Sequence, residues 1–435
     1  MSRIALLALT LLLAACGPAS EPQTASAPAV DVAPERVSPA ETQRERNPVL
    51  AGVEVLLRDH ATELLGLRVG ILTNPTGVTR ELESTIDVVR KLPGVEVVRL
   101  FGPEHGVRGQ HFAGAKVNET VDAVSGLPVV SLYGATRRPT AAMLEGLDVV
   151  LYDIQDVGHR TYTYVSTLTY LMEACAEAGV AVWVLDRPDP LGGRVVGGPM
   201  LDPDLVSFIG VHPVPQVYGM TPGEWARMIR AERVPGIELR VIPLDGWRRG
   251  MTYGETGLPW VPPSQHIPHW ESSFFYAMTG TIGELRRVNE GVGTPTPFEL
   301  IGAPWLDGRE FARRLNEWDL PGVRFRALSY KPRYGTGSGE LLQGVQIHVL
   351  DYDVADPPRI GAALMAELAA IAPDQDLFAR YLDDDGSATG FLKALGDLSI
   401  AEALAENRVP ETLLTGVSES IEAVRARRVD DLIYR

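Results

Sequence analysis

Short apolar runs rich in β-branched residues alternate with helical stretches from residue 68 onward. The runs predict strands at 68–72, 95–101, 129–133, 148–154 and 180–185. Because each run is almost continuously apolar, we expect both faces of each strand to be covered, which is typical of a parallel sheet. The alternation therefore predicts an α/β fold with helices packed on both faces of a parallel sheet.

Two of the predicted helices are marked by their ends. In 161–178 apolar residues recur every three or four positions, and Gly179 follows as a terminator. A second helix begins at Thr221, where Pro222 occupies the first helical position and Glu224 completes a capping box.

The βα alternation stops between residues 254 and 270, where the composition changes to Gly, Pro and Trp. We place a domain junction there. Residues 49–262 are predicted to form the larger α/β domain, which carries the catalytic residues. Residues 263–435 mix isolated strands, such as 344–350, with amphipathic helices, such as 359–371, and are predicted to form a smaller α+β domain that completes a cleft.

Composition and charge narrow the function classes. The chain has 435 residues, of which 45% are apolar and 22% charged, so it has enough apolar residues for a sizeable core. The net charge is −16, and basic runs are no longer than pairs such as Arg137-Arg138. Phosphate backbones recruit clustered Lys and Arg, so this argues against a nucleic-acid partner and favours a small or neutral ligand.

The N-terminus has the pattern of an export signal. An apolar stretch in residues 1–15 is too short to span a bilayer and ends in small residues before Cys16. This resembles the lipobox of bacterial lipoproteins, which implies that Cys16 is lipidated. Residues 16–48 are rich in Pro and Ala and predict a disordered tether. The expected location is the cell envelope, with Gly17 favouring the outer membrane facing the periplasm, and the only expected membrane contact is the lipid.

Polar residues follow four of the predicted strands. In open α/β sheets ligands bind beyond the carboxyl ends of the strands, so we expect these residues at one site. The candidates are Asn74, Glu104, His105, Asp153, Gln155, Asp156, Asp186 and Arg187.

Glu104 is the candidate general acid. It lies between Pro103 and His105 in a Gly-flanked turn, which fixes the carboxyl group and allows a ligand to approach closely. Partial enclosure would raise its pKa toward the range that acid catalysis needs. Asp153 and Asp156 are candidates for the second carboxylate. A surface turn for Glu104 and a helix cap for Asp156 are the structural alternatives.

Arg160, Tyr162 and Tyr164 begin the helix after Asp156, and a guanidinium beside aromatic faces suits sugars and carboxylates. Packing is the alternative role for Tyr164. Neither H-E-x-x-H nor C-x-x-C occurs, so we expect no transition-metal site. G-x-S-x-G and P-loop motifs are also missing from the sequence, and no cofactor is expected.

Several segments, taken in order, resemble the NamZ-type exo-β-N-acetylmuramidases, a glycoside hydrolase family that was formerly a bacterial domain of unknown function. The set is specific and extends from about residue 50 to 350. The matching segments are 70–77, 101–109, 126–134, 153–164, 185–188, 219–221, 302–305 and 344–348.

The resemblance implies a Rossmann-like N-terminal domain and a cleft that removes N-acetylmuramic acid from the non-reducing end of peptidoglycan fragments. Glu104 is similar to the residue held catalytic in that family, and Glu290 is a further candidate for the second group. For the sugar's carboxylate we expect Arg108, Arg160 or Arg187, because bidentate Arg geometry suits that anion.

The segment 289–297 lacks two arginines that the family usually carries there. This difference keeps a related amino sugar open as the substrate. It also keeps open a non-catalytic, lipid-tethered wall-binding protein. An esterase or amidase acting on wall polymers is a third alternative.

Overall fold

The strands and helices of the protein follow the apolar pattern closely in a computed structural model, which describes residues 48–109, 120–134, 136–415 and 418–435. The predicted signal peptide, Cys16 and all of the tether except residue 48 lie outside the described residues.

The strands within the described ranges are β1 Arg68–Thr73, β2 Glu96–Gly102, β3 Thr120–Val121, β4 Pro128–Ser131, β5 Val149–Asp153, β6 Ala181–Leu185, β7 Gly197–Met200, β8 Pro215–Val217, β9 Leu239–Ile242, β10 Leu300–Ala303, β11 Val323–Tyr330 and β12 Leu342–Val349. The α-helices are α1 Gly52–Val55, α2 Thr85–Arg90, α3 Ala141–Leu144, α4 Tyr164–Ala178, α5 Pro222–Glu232, α6 Tyr253–Thr256, α7 Ser272–Gly283, α8 Gly308–Glu317, α9 Pro357–Ile371, α10 Gly390–Leu395, α11 Leu398–Ala405, α12 Glu411–Thr415 and α13 Glu419–Arg427.

The larger sheet has the order β3-β4-β2-β1-β5-β6-β9. All neighbouring pairs are parallel except β3 with β4, which is antiparallel. Every residue of β5 and β6 is buried, because α4 and α5 cover one face and apolar side chains from residues 49–107 cover the other. The predicted α/β class with a parallel sheet is confirmed, and the predicted capping box at Thr221 begins α5.

The chain changes direction across the sheet at β1. It runs outward through β2 to β4 and then returns to β5, which pairs with the other side of β1. The carboxyl ends of β1, β2 and β5 therefore lie side by side at a topological switch point, which is where open α/β sheets bind ligands.

The C-terminal part is built on the antiparallel sheet β10-β12-β11. Phe311 of α8, Leu364 of α9 and Ile347 of β12 belong to its apolar core, together with residues of α7. This confirms a smaller α+β region after the parallel sheet.

The last residues of the chain return to the parallel sheet. The hydroxyl of Tyr434 donates a hydrogen bond to Asp186, the residue directly after β6, and accepts one from the backbone N–H of Leu244. Arg428 donates to the carbonyl of Gly219. The predicted domain boundary at residue 262 would assign these last residues to the C-terminal domain, although they contact the parallel sheet. The boundary itself stays a prediction. Across the described residues, no helix has the length and apolar character needed to cross a membrane.

Candidate active site

A cavity of about 490 Å³ lies beyond β2 and at the start of α4. The parallel-sheet region contributes most of its wall, and the C-terminal region contributes the rest. We call this cavity the first lobe. Its lining includes Glu104, His105, Tyr133, Arg137, Thr161, Tyr162, Thr163, Tyr164, Phe208, Ser264, His266, Tyr276, Glu284, Phe298 and Lys393.

A second cavity of about 490 Å³ continues from the first. The two share six lining residues, among them Tyr276 and Glu284, so they form one cleft with two lobes. The second lobe adds Arg286 and Glu290, both from the C-terminal region. A cleft of this size is in the range that holds small ligands.

Glu104 is half-buried in the wall of the first lobe. Its Oε2 accepts a hydrogen bond of 3.1 Å from the hydroxyl of Thr163, at the start of α4. Burial and the neighbouring Glu104 carboxylate, which also accepts a hydrogen bond from the phenol, raise the pKa of Tyr133 to about 12. These contacts hold the carboxyl group at the cavity, and its role as a general acid stays a prediction.

The backbone of this turn is unusual. His105 has φ 71° and Gly106 has φ 75°, so two consecutive residues occupy the left-handed region. Glycine adopts this conformation freely, whereas histidine does so at a cost, and such costs are found where the surroundings impose a geometry. His105 thereby reaches the cavity beside Glu104.

The cations that line the first lobe are not those that the sequence analysis selected. Arg137 lies with its guanidinium carbon 4.3 Å from the centroid of the Phe208 ring, and Lys393 of α10 lines the same lobe. Both are therefore placed to meet an anionic group of a bound ligand.

Asp153 and Arg187 do not line the cleft, which corrects their predicted roles. Arg187 Nε lies 2.5 Å from Asp153 Oδ1, and the two side chains are 4% and 0% exposed. The remaining Asp153 oxygen accepts hydrogen bonds from Thr85 and from Arg187 Nη2. The charges neutralise each other and tie β5 to the loop that follows β6.

Arg160 and Arg108 are also engaged elsewhere. The two Nη atoms of Arg160 donate to the carbonyl oxygens of Pro199, Val214, Ala394 and Leu395. Burial lowers the pKa of Arg160 to about 9. Its guanidinium thus joins the sheet region to α10, and at 1% exposure it is not placed to meet a substrate carboxylate.

Arg108 pairs with Asp122 at 3.0 Å and lies 3.8 Å from Asp87. The predicted carboxylate-binding role of Arg108 therefore has no support from its position. The same holds for Arg160 and Arg187.

Asn74, Gln155 and Asp156 form a buried polar layer behind the cleft wall. Asn74 Oδ1 accepts hydrogen bonds from the backbone and hydroxyl of Thr76. Gln155 donates to the carbonyl of Pro188. These contacts fix the loops that follow β1, β5 and β6, so Asn74 and Gln155 support the site and do not line it.

Asp156 is likewise inside the protein. Its Oδ2 accepts hydrogen bonds from the backbone of Gly158 and the hydroxyl of Tyr218. Burial raises its pKa to about 6. Because Asp156 is not among the residues that line either lobe, the structure does not place it as the second carboxylate.

Asp186 caps helix α5. Its oxygens accept hydrogen bonds from the backbone of Gly223 and from the hydroxyls of Thr221 and Tyr434. Burial raises the pKa of Asp186 to about 7. Asp186 was predicted to bind substrate, but it faces the start of a helix and the C-terminal residues.

Tyr162, Tyr164 and Glu290 do reach the cleft. The two tyrosine rings meet edge to face at 5.0 Å and line the first lobe. Glu290 lines the second lobe, where burial, and secondarily Glu284, raise its pKa to about 7. The expectation that Asn74, Glu104, Asp153 and Arg187 share one cavity is wrong, since Glu104 alone of the four lines it.

Several lining residues carry no local sequence signal of their position. Arg137, His266, Tyr276, Glu284 and Lys393 come from loops and helices far apart in the chain, outside the motifs that follow the strands. Among the described residues, His, Cys, Asp and Glu form no group of three or more placed to hold a metal ion. Chemically, the cleft offers carboxyl groups, imidazoles, phenols and three cations, Arg137 and Lys393 in the first lobe and Arg286 in the second.

The chain is similar to proteins of one known family over nearly its whole length. Residues 69–271 match the family model for the N-terminal domain of exo-β-N-acetylmuramidase NamZ, and residues 274–434 match the model for its C-terminal domain. The peptidoglycan β-N-acetylmuramidase NamZ of Bacillus subtilis (strain 168) is 37% identical over 425 residues, covering 98% of this chain and 96% of that protein.

Two crystal structures of DUF1343 family proteins from Bacteroides fragilis NCTC 9343 have similar folds. The first aligns with a TM-score of 0.83 and 40% identity, over 89% of this chain and 99% of the other. The second aligns with a TM-score of 0.70 and 24% identity over the same shares, a likeness that concerns the fold alone.

Proposed function

The chain belongs to the NamZ family of exo-β-N-acetylmuramidases, and from this premise we propose that it is a glycosidase that releases N-acetylmuramic acid from the non-reducing end of peptidoglycan fragments. The observation that carries the proposal is the position of Glu104. Its carboxyl group lies in the wall of a cleft large enough for a sugar, held by Thr163 and Tyr133.

Glu104 is proposed to protonate the glycosidic oxygen. A general acid must lie within hydrogen-bond reach of the oxygen that receives the proton, and the half-buried carboxyl group at the cavity meets that need. The C1–O bond then breaks as charge develops on the sugar ring, and the leaving sugar keeps the electron pair of that bond and the proton from Glu104. Water completes the hydrolysis by forming a new C1–O bond, and it gives up one proton to a carboxylate of the site.

Glu284 replaces Asp153 and Asp156 as our candidate for the second carboxyl group. It lines both lobes, whereas the two aspartates are buried behind the cleft wall. Glu290, in the second lobe, stays a candidate. Both are carried by the C-terminal region, so the proposed reaction uses the two regions on opposite sides of the substrate.

Arg137 and Lys393 are proposed to bind the lactyl carboxylate of muramic acid. They line the first lobe with Glu104, and their charges complement that anion. They take the role that the sequence predicts for Arg108, Arg160 or Arg187. In this proposal, recognition of the acid does not depend on the arginines missing from segment 289–297.

Lipidation of Cys16 and residence at the outer membrane, facing the periplasm, form a separate proposal that rests on the sequence of residues 1–17 alone. Its test is metabolic labelling with a fatty acid and fractionation of cells that produce the natural chain or Cys16→Ser. Label and membrane association should both be lost in the variant. A variant that stays labelled would contradict the proposal.

The test of function is hydrolysis of a chromogenic β-N-acetylmuramide by the wild-type protein and by Glu104→Gln. General acid catalysis typically contributes about 10²- to 10⁴-fold, so kcat should fall by that range. Glu340→Gln, at an exposed position, is the matched control and should keep full activity.

Other outcomes separate the alternatives. Binding without turnover by the wild-type protein would favour a wall-binding protein. Release of acyl groups from wall polymers, without sugar release, would favour an esterase or amidase.

A further inference from the structure

Three side chains form a hydrogen-bonded chain that leads from the protein interior to the cleft. His159 Nδ1 lies 2.9 Å from Thr161 Oγ1, and Thr161 Oγ1 lies 2.8 Å from the hydroxyl of Tyr276. His159 is 0% exposed, whereas Tyr276 is half-buried and lines both lobes. The chain thus connects a buried imidazole to a phenol that a ligand meets.

The backbone of Thr161 sets the direction of these bonds. Its N–H lies 3.3 Å from His159 Nδ1, and a backbone N–H can only donate. Nδ1 is therefore an acceptor, and the ring proton is on Nε2, a buried atom with no partner among the described residues. Burial lowers the pKa of His159 to about 3, so the ring stays neutral.

The donor and acceptor roles of the other two hydroxyl groups follow from this assignment. Since Nδ1 accepts, the Thr161 hydroxyl donates its hydrogen to Nδ1 and must accept at its own oxygen. The Tyr276 hydroxyl consequently donates to Thr161 Oγ1. With its only proton engaged by Thr161, the Tyr276 oxygen presents lone pairs to the cleft.

The ring of Tyr276 is also fixed in place. It meets His159, Tyr162 and Phe298 edge to face, at centroid distances of 5.2, 5.6 and 4.9 Å. Three such contacts around one ring leave it little freedom, so the oxygen has a defined position in the cleft.

We propose that Tyr276 accepts a hydrogen bond from the acetamido N–H of the bound sugar, and that His159, acting through Thr161, is the positioning residue that makes Tyr276 an acceptor. The inference rests on the proposed function. Tyr276 lines the first lobe together with Glu104 and Glu284, the groups proposed to act at the glycosidic bond. The acetamido group is attached to the carbon next to the reacting one, so it is a donor that lies close to these carboxyl groups.

The test compares two chromogenic substrates that differ in one atom, the 2-acetamido glycoside and its 2-acetoxy analogue, which keeps the carbonyl and lacks the N–H. A site built to pair with a donor rejects the analogue without it. We expect the wild-type protein to favour the acetamido substrate by at least about tenfold in kcat/KM, the effect of one well-placed hydrogen bond.

Substitutions in the hydrogen-bonded series distinguish a role in orienting the Tyr276 hydroxyl from a role in packing alone. Tyr276→Phe and the near-isosteric Thr161→Val should reduce the preference to less than about threefold, because the acceptor is lost or freed to rotate. Thr161→Ser keeps the hydroxyl and should keep the preference. A folded Thr161→Val that retains the wild-type ratio, or a wild-type ratio near one, would overturn the inference.

Two further measurements do not need turnover. The ¹⁵N NMR signals of the His159 ring report its tautomer, and a protonated Nδ1 would overturn the inference even in an active enzyme. If the wild-type protein hydrolyses neither glycoside, the proposed function fails; calorimetry with the free acetamido and acetoxy sugars then measures the same preference. Equal affinities, or no binding of either sugar, would also overturn it.

Discussion

Arg187 Nε lies 2.5 Å from Asp153 Oδ1, and Arg187 Nη2 lies 3.0 Å from Asp153 Oδ2, in a part of the protein that water hardly reaches. Asp153 ends β5 and Arg187 lies just after the neighbouring strand β6, at the edge of the sheet where a ligand-binding group is expected. They nevertheless satisfy each other, and Arg187 also donates to the carbonyl of Val78. The pair therefore holds loops together beneath the cleft.

The first prediction concerns this pair. Asp153→Asn leaves the Arg187 charge buried and uncompensated, so the free energy of unfolding should fall by about 3 to 5 kcal/mol, measured by urea denaturation. The control is Glu406→Gln, which breaks an exposed pair with Arg408 and should cost no more than about 1 kcal/mol. An Asp153→Asn protein of wild-type stability with no glycosidase activity would instead return Asp153 to a catalytic role.

The fold was largely predictable because buried strands and helix ends require particular residue types close together in the sequence. The strands β5 and β6 are buried at every position, and their sequences are almost continuously apolar. The N-terminal cap of α5 consists of Thr221, Pro222 and Glu224, a recognisable local motif. The return of the chain end was not predictable. Tyr434 meets Asp186 across 248 residues, and neither residue carries a local signal of the other.

The candidate site divides in the same way. Glu104 was predictable because a rigid, Gly-flanked turn after a strand is a local feature. The roles of the arginines were not, since a guanidinium binds substrate only if no other acceptor takes its hydrogens. Arg160 is surrounded by four carbonyl oxygens, while Arg137, with no motif around it, lines the cleft.

The second prediction concerns the cations of the first lobe. Arg137→Ala or Lys393→Ala should lower kcat/KM on a β-N-acetylmuramide by about 10- to 100-fold, since each removes a charge-assisted bond to the lactyl carboxylate. Activity on the corresponding N-acetylglucosaminide, which has no such carboxylate, should change much less.

Arg138→Ala is the control for this pair of variants, because Arg138 pairs with Glu173 and Glu177. It should behave as wild type on both substrates. If Arg137→Ala lowers kcat/KM equally on the two substrates, Arg137 contributes to the shape of the lobe and does not bind the carboxylate.

The third prediction concerns the chain end. Tyr434→Phe removes a hydroxyl that bonds Asp186 at 2.6 Å and accepts from the backbone of Leu244 at 2.9 Å, which leaves two buried groups short of a partner. The free energy of unfolding should fall by about 1 to 3 kcal/mol. Tyr334→Phe, where 53% of the residue is exposed, should change stability by less than about 0.5 kcal/mol. Equal unfolding midpoints for the two variants would mean that the returning residues add no stability.

The fourth prediction is a pH dependence of stability that runs opposite to acid denaturation. Burial raises the pKa of Asp156 to about 6 and the pKa values of Asp186 and Asp189 to about 7. Between pH 4 and these values, the native protein keeps protons that the unfolded chain has lost. The contribution of these groups to the free energy of unfolding therefore falls as pH rises from about 4 through the raised pKa values, and it levels off above about pH 8.

Asp189→Asn isolates one of these groups. Asp189 is buried, its Oδ1 accepts from the backbone of Leu191, and its Oδ2 has no hydrogen-bond partner among the described residues. The asparagine keeps the acceptor and cannot ionise. Its loss of stability between pH 5 and pH 8, measured by urea denaturation, should be smaller than that of the wild type by on the order of 2 kcal/mol. Asp384→Asn, at an exposed position, should leave the wild-type slope unchanged. Parallel pH curves for Asp189→Asn and the wild type would show that Asp189 ionises in the folded protein as easily as in the unfolded chain, because a group titrating alike in both states contributes no slope.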